Sequence, residues 1–335
     1  EDARETIADL YGGDPKGLTF TSGATESDNL ALFGAAEALR ARGNHIVVSA
    51  VEHPAVLETA AELAKGGFEV SHAPVDGDGR VDVAALERLL TPRTTLVSLM
   101  AANNEVGTIQ PAGEAAALCR ARRIVFHSDA AQAAGKVDLK FEADLVTISS
   151  HKMHGPRGAG ALYVRPGTPL APQQVGGGQE FERRAGTENV EAILGFAAAA
   201  KAMESDRRET AARVERLRSR LVAGLKAASP LRLNGHASDR LPHIVSVTFP
   251  GCDGEAMVIA LDAKGLCVSS GSACASQSMV PSHVLLAMGR SAEETRATVR
   301  FSLGWDSTEA DVDAAAALVP PVVARLRAIA PAGRP

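Results

Sequence analysis

One lysine stands where an apolar run ends. In "DLVTISSHKMHGPRGAGALYV", residues 144–164, Lys152 follows Ser149, Ser150 and His151 and precedes His154 and the glycines Gly155, Gly158 and Gly160. In open parallel sheets, ligands bind beyond the carboxyl ends of the strands. A lysine held there, desolvated or beside another cation, gives up its proton and becomes a nucleophile for carbonyl carbon. The serines and histidines are groups that position a ligand, and the glycines let backbone come close to one. A lysine at a strand end is otherwise an ordinary surface residue, so its meaning depends on partners elsewhere.

"RIVFHSDAAQAAGK" supplies the first partner. Asp129 ends an apolar strand, 23 residues before Lys152, and Gln132 lies three residues further on. Asp129 could cap a helix that follows it. It also fits pyridoxal 5'-phosphate, which needs a lysine for its covalent bond and an acid for its pyridine nitrogen. Opposite charges ~4 Å apart attract by roughly 4 kcal/mol at an effective dielectric of about 20. That is about three pKa units, enough to keep the ring nitrogen protonated at neutral pH. "GLTFTSGATESDNLALFG" supplies a phosphate seat: a strand, a turn containing Ser22, Gly23, Ala24 and Thr25, then a helix from about Glu26. The free N–H groups of a helix start and nearby hydroxyls bind phosphate. A plain capping box is the alternative.

The elements that must position these residues read as an α/β chain. "HIVVSA", "TTLVSLM", "RIVFHSDA", "DLVTISS" and "GALYV" are continuous apolar runs rich in β-branched residues, as strands buried on both faces are. Ala-rich stretches of helical period lie between them at Glu26–Arg42, Ala55–Lys65, Val81–Leu90 and Glu114–Arg123. The alternation implies a mainly parallel, helix-covered sheet. A long helical stretch from Asn189 towards Ser229 leads into a different order: strand "HIVSVTF", helix Glu255–Lys264, short strand "LCVSS", a helix near His283–Met288, strand "ATVRFSLG" and a final helix. The expectation is a large α/β domain over 1–208 and a smaller α+β domain over 209–335.

The chain has 335 residues, a net charge of −5 and 4% aromatic residues, so neither composition nor charge suits nucleic acid or an anionic membrane surface. The longest strongly apolar stretch, Ile193–Ala200, is too short to span a bilayer. Four cysteines, Cys119, Cys252, Cys267 and Cys274, form no C-x-x-C pair. Zinc and a disulfide framework are therefore not expected, and a reducing cytoplasm is. The opening "EDARETIADLYGG" reads as the middle of an amphipathic helix, so an N-terminal segment is expected to be missing. The only near match to a dinucleotide fingerprint, Gly155, Gly158 and Gly160, precedes a strand instead of opening a helix.

Nearly the whole chain resembles the cysteine desulfurases of the NifS/IscS type, in the class V aminotransferase group of fold-type I pyridoxal phosphate enzymes. The resemblance rests on "TFTSGATESDN", "VEHPAVLET", "NNEVGTIQ", "HSDAAQAAGK", "SSHKMHGPRGAGALYVR", "GGGQE", "RRAGTENV", "VSSGSACAS" and "VRFSLG", in order. It implies that Lys152 holds the cofactor covalently, Asp129 pairs with the pyridine nitrogen, and Gln132 and Asn104 reach the phenolic oxygen. His53 would stack on the ring and shuttle protons. Ala24, Thr25, Ser149 and His151 would bind the phosphate, with Thr187 serving the neighbouring subunit of a homodimer. Arg300 would clamp the substrate carboxylate with its bidentate guanidinium. Each has a plain alternative: turn residues for Asn104 and Thr187, a helix start for His53, a salt-bridging strand residue for Arg300. The resemblance also implies an N-terminal segment that joins the small domain and helps close the substrate pocket, and this sequence is expected to be a fragment lacking it.

The resemblance also singles out Cys274. From Ser269 to Ser278 there is no large apolar side chain, which favours an exposed, mobile loop. Cys119 and Cys267 read as buried structural thiols, and Cys252 sits in a turn. The implied reaction takes sulfur from L-cysteine, leaving alanine and a persulfide on Cys274. That sulfur would pass to an acceptor such as an iron–sulfur scaffold protein. An aminotransferase or a selenocysteine lyase would keep Lys152 and Asp129 without needing Cys274 for its main turnover.

Overall fold

The computed structural model describes residues 1–139, 141–270 and 281–329. It divides into two compact units, one of Glu1–Val75, Val81–Asn103 and Gln110–Arg207, the other of Asp76–Arg80, Asn104–Ile109 and the chain from Arg208.

The first unit contains helices α1 (Asp2–Ala8), α2 (Ala24–Leu39), α3 (Pro54–Lys65), α4 (Val83–Leu89) and α5 (Ala112–Arg122) and strands β1 (Leu18–Thr21), β2 (His45–Ser49), β3 (Glu69–Ala73), β4 (Thr94–Ser98), β5 (Val125–Asp129), β6 (Leu145–Ser149) and β7 (Gly160–Val164). The strands form one sheet in the order β1-β7-β6-β5-β4-β2-β3. Only β7 pairs antiparallel with its neighbours, so the other six run the same way. Six of the seven strands, all but β3, are buried at every position, which is why β2 and β4 to β7 read as largely continuous apolar runs instead of alternating ones. β3, on the sheet edge, has exposed and half-buried positions, and its mixed sequence "EVSHA" gave no strand signal.

Helices α2 and α3 cover the sheet. Leu32, Ala35, Ile46, Val48, Leu96, Leu145 and Leu162, fully buried, share one apolar cluster with Val56 and Ala60. Burying a leucine of this kind stabilises by roughly 1.5–3 kcal/mol. The helices begin within two residues of the sequence expectation.

α6 (Val190–Leu225) begins in the first unit and ends in the second. Its Val214, Leu217, Leu221 and Leu225 recur at three- and four-residue spacing and join the second core. There they meet β9 (Ile244–Thr248) and β11 (Thr298–Ser302), strands of an antiparallel sheet ordered β10-β11-β9-β8, with β8 at Arg232–Asn234 and β10 at Ser269–Ser270. α7 (Gly254–Asp262), α8 (His283–Ala287), α9 (Ala292–Arg296) and α10 (Glu309–Ile329) complete the unit. β8 and α9 are too short to show a period in the sequence. Among the described residues no helix is long and apolar enough to cross a membrane, and no cluster of His, Cys, Asp and Glu could hold a metal.

Candidate active site

The parallel strands end along one edge of the first unit's sheet, and the candidate residues follow those ends. β7 joins two of these ends. Its Gly160 lies opposite both Thr21, the last residue of β1, and Ser149, the last of β6. A β-carbon at Gly160 would come within 2.6 Å of Gly23, so glycine there lets the Ser22–Gly23 turn lie against the strand. The turn before α2 and the turn after β6 are thereby neighbours.

Gly23 caps α2 and no side chain caps its first turn. Neither Ser22 nor Thr25 serves the helix as a capping box would require. Glu26 is held otherwise: its Oε2 accepts from the Ser22 amide at 2.8 Å and its Oε1 from Arg184 Nε at 2.7 Å. Those bonds, against the opposing cost of burial, hold the Glu26 carboxyl below its ordinary range. Arg184 fixes the loop that carries Thr187, which is exposed. Thr25 lines a cavity of about 380 Å3 together with Asn29, Phe33, His53 and Pro54. Ala24 is half-buried beside it.

His53 is the N-cap of α3, and its Nδ1 accepts from the Ala55 amide at 3.1 Å. The plain reading of His53 as a helix-start residue is thus correct. It leaves the other ring nitrogen, Nε2, to carry the proton of the neutral ring. Asp129 is buried at the end of β5, and its Oδ1 accepts from the Ala131 amide at 2.8 Å. A turn over 131–136 follows it, not a helix. Burial raises the Asp129 pKa, opposed first by the Ala131 amide and then by the electrostatic influence of His53 and Lys152. Gln132 is half-buried in that turn.

Lys152 lies in a short 3-10 turn, Ser150–Met153, and is exposed, as is His151. Ser149 Oγ and His151 Nδ1 are 2.9 Å apart. Burial first, then the charges of Lys152, Arg157 and Lys136, depress His151, so it is a neutral donor or acceptor at pH 7. An exposed amine, a buried carboxyl and a side-chain-free helix start at one sheet edge fit a group carrying an aldehyde, a ring nitrogen and a phosphate.

Sequence reading missed the buried layer behind Asp129. His127, two residues earlier on β5 and so on the same face, bonds Ser98 at 2.8 Å and Thr147 at 3.1 Å, and burial pushes it down to about 3. Asp28 on α2 lies 3.5 Å from His127 Nε2 and is raised well above its ordinary range, by burial and then by Asp129. Glu52 accepts from Ser49 Oγ at 2.6 Å and from the Met100 amide at 2.7 Å, yet burial pushes it up to about 8. The available signal was a carboxylate inside an apolar strand-end stretch, "SAVEHP". A carboxyl whose folded pKa is raised stabilises the fold below its unfolded pKa and loses that contribution as pH rises through the folded value. Glu52→Gln keeps the acceptor oxygen and has no proton to lose. In cofactor-free protein it should match wild type near pH 4 and exceed it by up to about 4 kcal/mol at pH 9, in urea unfolding. Parallel pH curves would show that Glu52 is already ionised.

The second unit holds the other two candidates. Arg300 on β11 donates from Nη1 to the Asn104 carbonyl at 2.8 Å. The neighbouring Glu105 is buried, and its Oε2 accepts from Ser282 Oγ, the N-cap of α8, at 2.5 Å. Burial pushes Glu105 up to about 7 against the opposing effects of that bond and of Arg300. Glu105 and Ser282 escaped the sequence reading, although "NNEVGTIQ" contains the first. Cys119 is buried and raised by burial to about 12, an inert thiol. Cys252 is half-buried, as a turn residue would be. Cys267 corrects an expectation: it is exposed, because "LCVSS" is a strand only over its last two residues. Cys274 lies outside the described residues.

Residues 1–315 match the family described as aminotransferase class-V. The chain is 44% identical over 332 residues to the cysteine desulfurase IscS of Methanosarcina thermophila, covering 98% of this chain and 82% of that protein. Among solved structures, a NifS-like protein superposes with a TM-score of 0.90 at 38% identity, covering 97% of this chain and 87% of that one. SspA in complex with cysteine superposes at 0.79 with 34% identity, covering 90% and 85%. On this evidence of sequence and fold, the chain belongs to the class-V aminotransferase family, among its cysteine desulfurases of the IscS type.

Proposed function

We propose that this desulfurase uses pyridoxal phosphate to take sulfur from L-cysteine, and that Lys152 and Cys274 do the chemistry. The observation that carries the reading is the sheet edge, where Gly160 pairs with the ends of both β1 and β6 and Asp129 ends β5. What pyridoxal phosphate supplies when bound is a sink for the electron pair left at the substrate's α-carbon.

The first turn of α2, Thr25, Ser149 and His151 hold the phosphate, with Ala24 contributing backbone. Asp129 keeps the ring nitrogen protonated. His53, fixed by its bond to the Ala55 amide, would lie against the ring and could hold or pass a proton at Nε2. Gln132 and Asn104 orient the phenolic oxygen. Arg300, already oriented by the Asn104 carbonyl, takes the substrate's carboxylate. Lys152 Nζ removes the α-proton. The Cys274 thiolate attacks the substrate sulfur: the sulfur–sulfur bond forms, the carbon–sulfur bond breaks, and the carbon takes a proton. L-cysteine and one thiol become L-alanine and one persulfide, with no net oxidant. A homodimer with Thr187 serving the partner's phosphate, release of sulfur to an acceptor such as an iron–sulfur scaffold, and residence in the cytoplasm complete the proposal.

The reading is tested by purifying the protein, adding pyridoxal phosphate and L-cysteine with a reductant, and measuring the cofactor's absorbance and sulfide. Asp129→Asn keeps shape and hydrogen bonding and loses the charge. It should bind the cofactor somewhat more weakly and remove the α-proton about 10²–10³-fold more slowly, seen as slower loss of α-deuterium from labelled cysteine. Normal turnover by Asp129→Asn would remove Asp129 from its assigned pairing.

A further inference from the structure

Two lysines, not one, meet at the candidate site. The turn that follows Asp129 is closed on itself by backbone bonds, Ala133 and Ala134 N–H to the Ala130 carbonyl and Lys136 N–H to the Ala133 carbonyl. It ends in Lys136, whose Nζ reaches across 16 residues of sequence to the Lys152 backbone carbonyl at 2.7 Å. Beside this bond, Gly135 has φ +70°, and a β-carbon there would lie 3.1 Å from the Met153 and Met203 side chains. Met153, the residue after Lys152, is completely buried. The turn carrying Asp129's continuation and the turn carrying Lys152 are therefore joined by one charge-assisted bond and one packed contact.

The arrangement is a costly one for a purely structural tie. A neutral donor would satisfy a carbonyl. Here burial, and then the Lys152 ammonium, push the Lys136 amine down to about 8. Taking a second cation out of water beside a first is unfavourable. What a cationic donor adds is a shorter and stronger bond than a neutral one makes. The 3-10 turn gains from this, because four residues with a left-handed C-cap at His154, φ 62°, hold few bonds of their own.

We propose that Lys136 is a positioning residue for Lys152: its ammonium grips the Lys152 carbonyl and fixes the turn from which the Lys152 amine meets an aldehyde. The proposal rests on the reading of Lys152 as the cofactor lysine. In that capture the amine nitrogen forms a double bond to the aldehyde carbon, two N–H protons and the aldehyde oxygen leave as water, and nothing is oxidised.

The test uses cofactor-free full-length chain, with pyridoxal phosphate as the probe. The adduct is reduced with borohydride at timed intervals, and its site and amount are read by peptide mass spectrometry. Exposed Lys65 and Lys201, modified in parallel, report that the fold and the reagent are unchanged. Lys136→Met, with neither charge nor donor, should slow capture at Lys152 about tenfold, the loss expected of roughly one charge-assisted bond. Lys136→Gln, near in size and able to donate, should fall between Met and wild type and guards against a Met variant that fails to fold. Lys136→Arg should recover capture to within about threefold. Wild-type capture rates at Lys152 in both the Met and Gln variants would overturn the proposal, and so would recovery in neither Gln nor Arg. An adduct on Lys136 or another lysine of wild type, with Lys152 unmodified, would overturn the reading of Lys152 itself and the proposal with it.

Discussion

Lys152→Ala is expected to yield a colourless protein that releases no measurable sulfide from L-cysteine. Two losses coincide in one side chain. The amine that would hold the cofactor is gone, so bound pyridoxal phosphate depends on its phosphate and ring contacts alone. The base that takes the α-proton is gone as well, and a positioned base contributes about 10²–10⁴-fold by itself. The combined effect on kcat should be at least about 10⁴-fold. The fold should survive, because Lys152 is exposed and its turn is tied through backbone groups, to Lys136 by the Lys152 carbonyl and to Ala159 by the Ser150 amide. The measurements are the visible absorbance after reconstitution, sulfide release, and the melting temperature as a control on folding. A yellow, active Lys152→Ala protein would place the covalent site elsewhere.

Cys274→Ser separates a desulfurase from other enzymes on this fold. The protein should remain yellow and should still change its spectrum when L-cysteine is added, because Lys152, Asp129 and Arg300 are untouched. Sulfide release should fall by at least about 10³-fold, the scale of removing a nucleophile. A serine hydroxyl attacks sulfur poorly and cannot carry a persulfide. The other thiols do not replace it. Cys119 is buried with its pKa pushed to about 12, so it is never a thiolate at neutral pH. Cys119→Ala and Cys267→Ala should leave turnover near wild type. Mass spectrometry of cysteine-treated wild type should place the added sulfur on the peptide containing Cys274. Sulfide release by Cys274→Ser at the wild-type rate, or added sulfur only on Cys252, would displace the assigned nucleophile. Transfer of an amino group to a keto acid with no sulfur on any cysteine would favour the aminotransferase reading.

The parallel sheet was legible because burial on both faces writes continuous apolar runs into β2, β4, β5, β6 and β7. Edge strand β3 was not, since its exposed and half-buried positions carry Glu, Ser and His. Lys152 and Asp129 were legible because polar residues that directly follow such runs stand out. Glu105 and Lys136 were not, because nothing local distinguishes a carboxylate or amine that folding will bury from one that stays in water; Glu52 carried only the weak signal of a carboxylate within an apolar strand-end stretch.

By itself, the sequence determined the alternation of strands and helices, the strand ends at which chemistry is placed, and the residue types available there. Each of these depends on neighbours a few positions apart, and local periodicity and turn chemistry express them. Only the tertiary structure decided the rest. It set the strand order that brings Thr21 and Ser149 to opposite sides of Gly160. It made Gly23 the N-cap of α2 with no side chain capping the helix, exposed Cys267, and lowered the Lys136 amine against Lys152. These are consequences of contacts between residues far apart in the chain and of the water those contacts exclude. A pKa, a capping pattern or a close backbone approach exists only once that environment has formed.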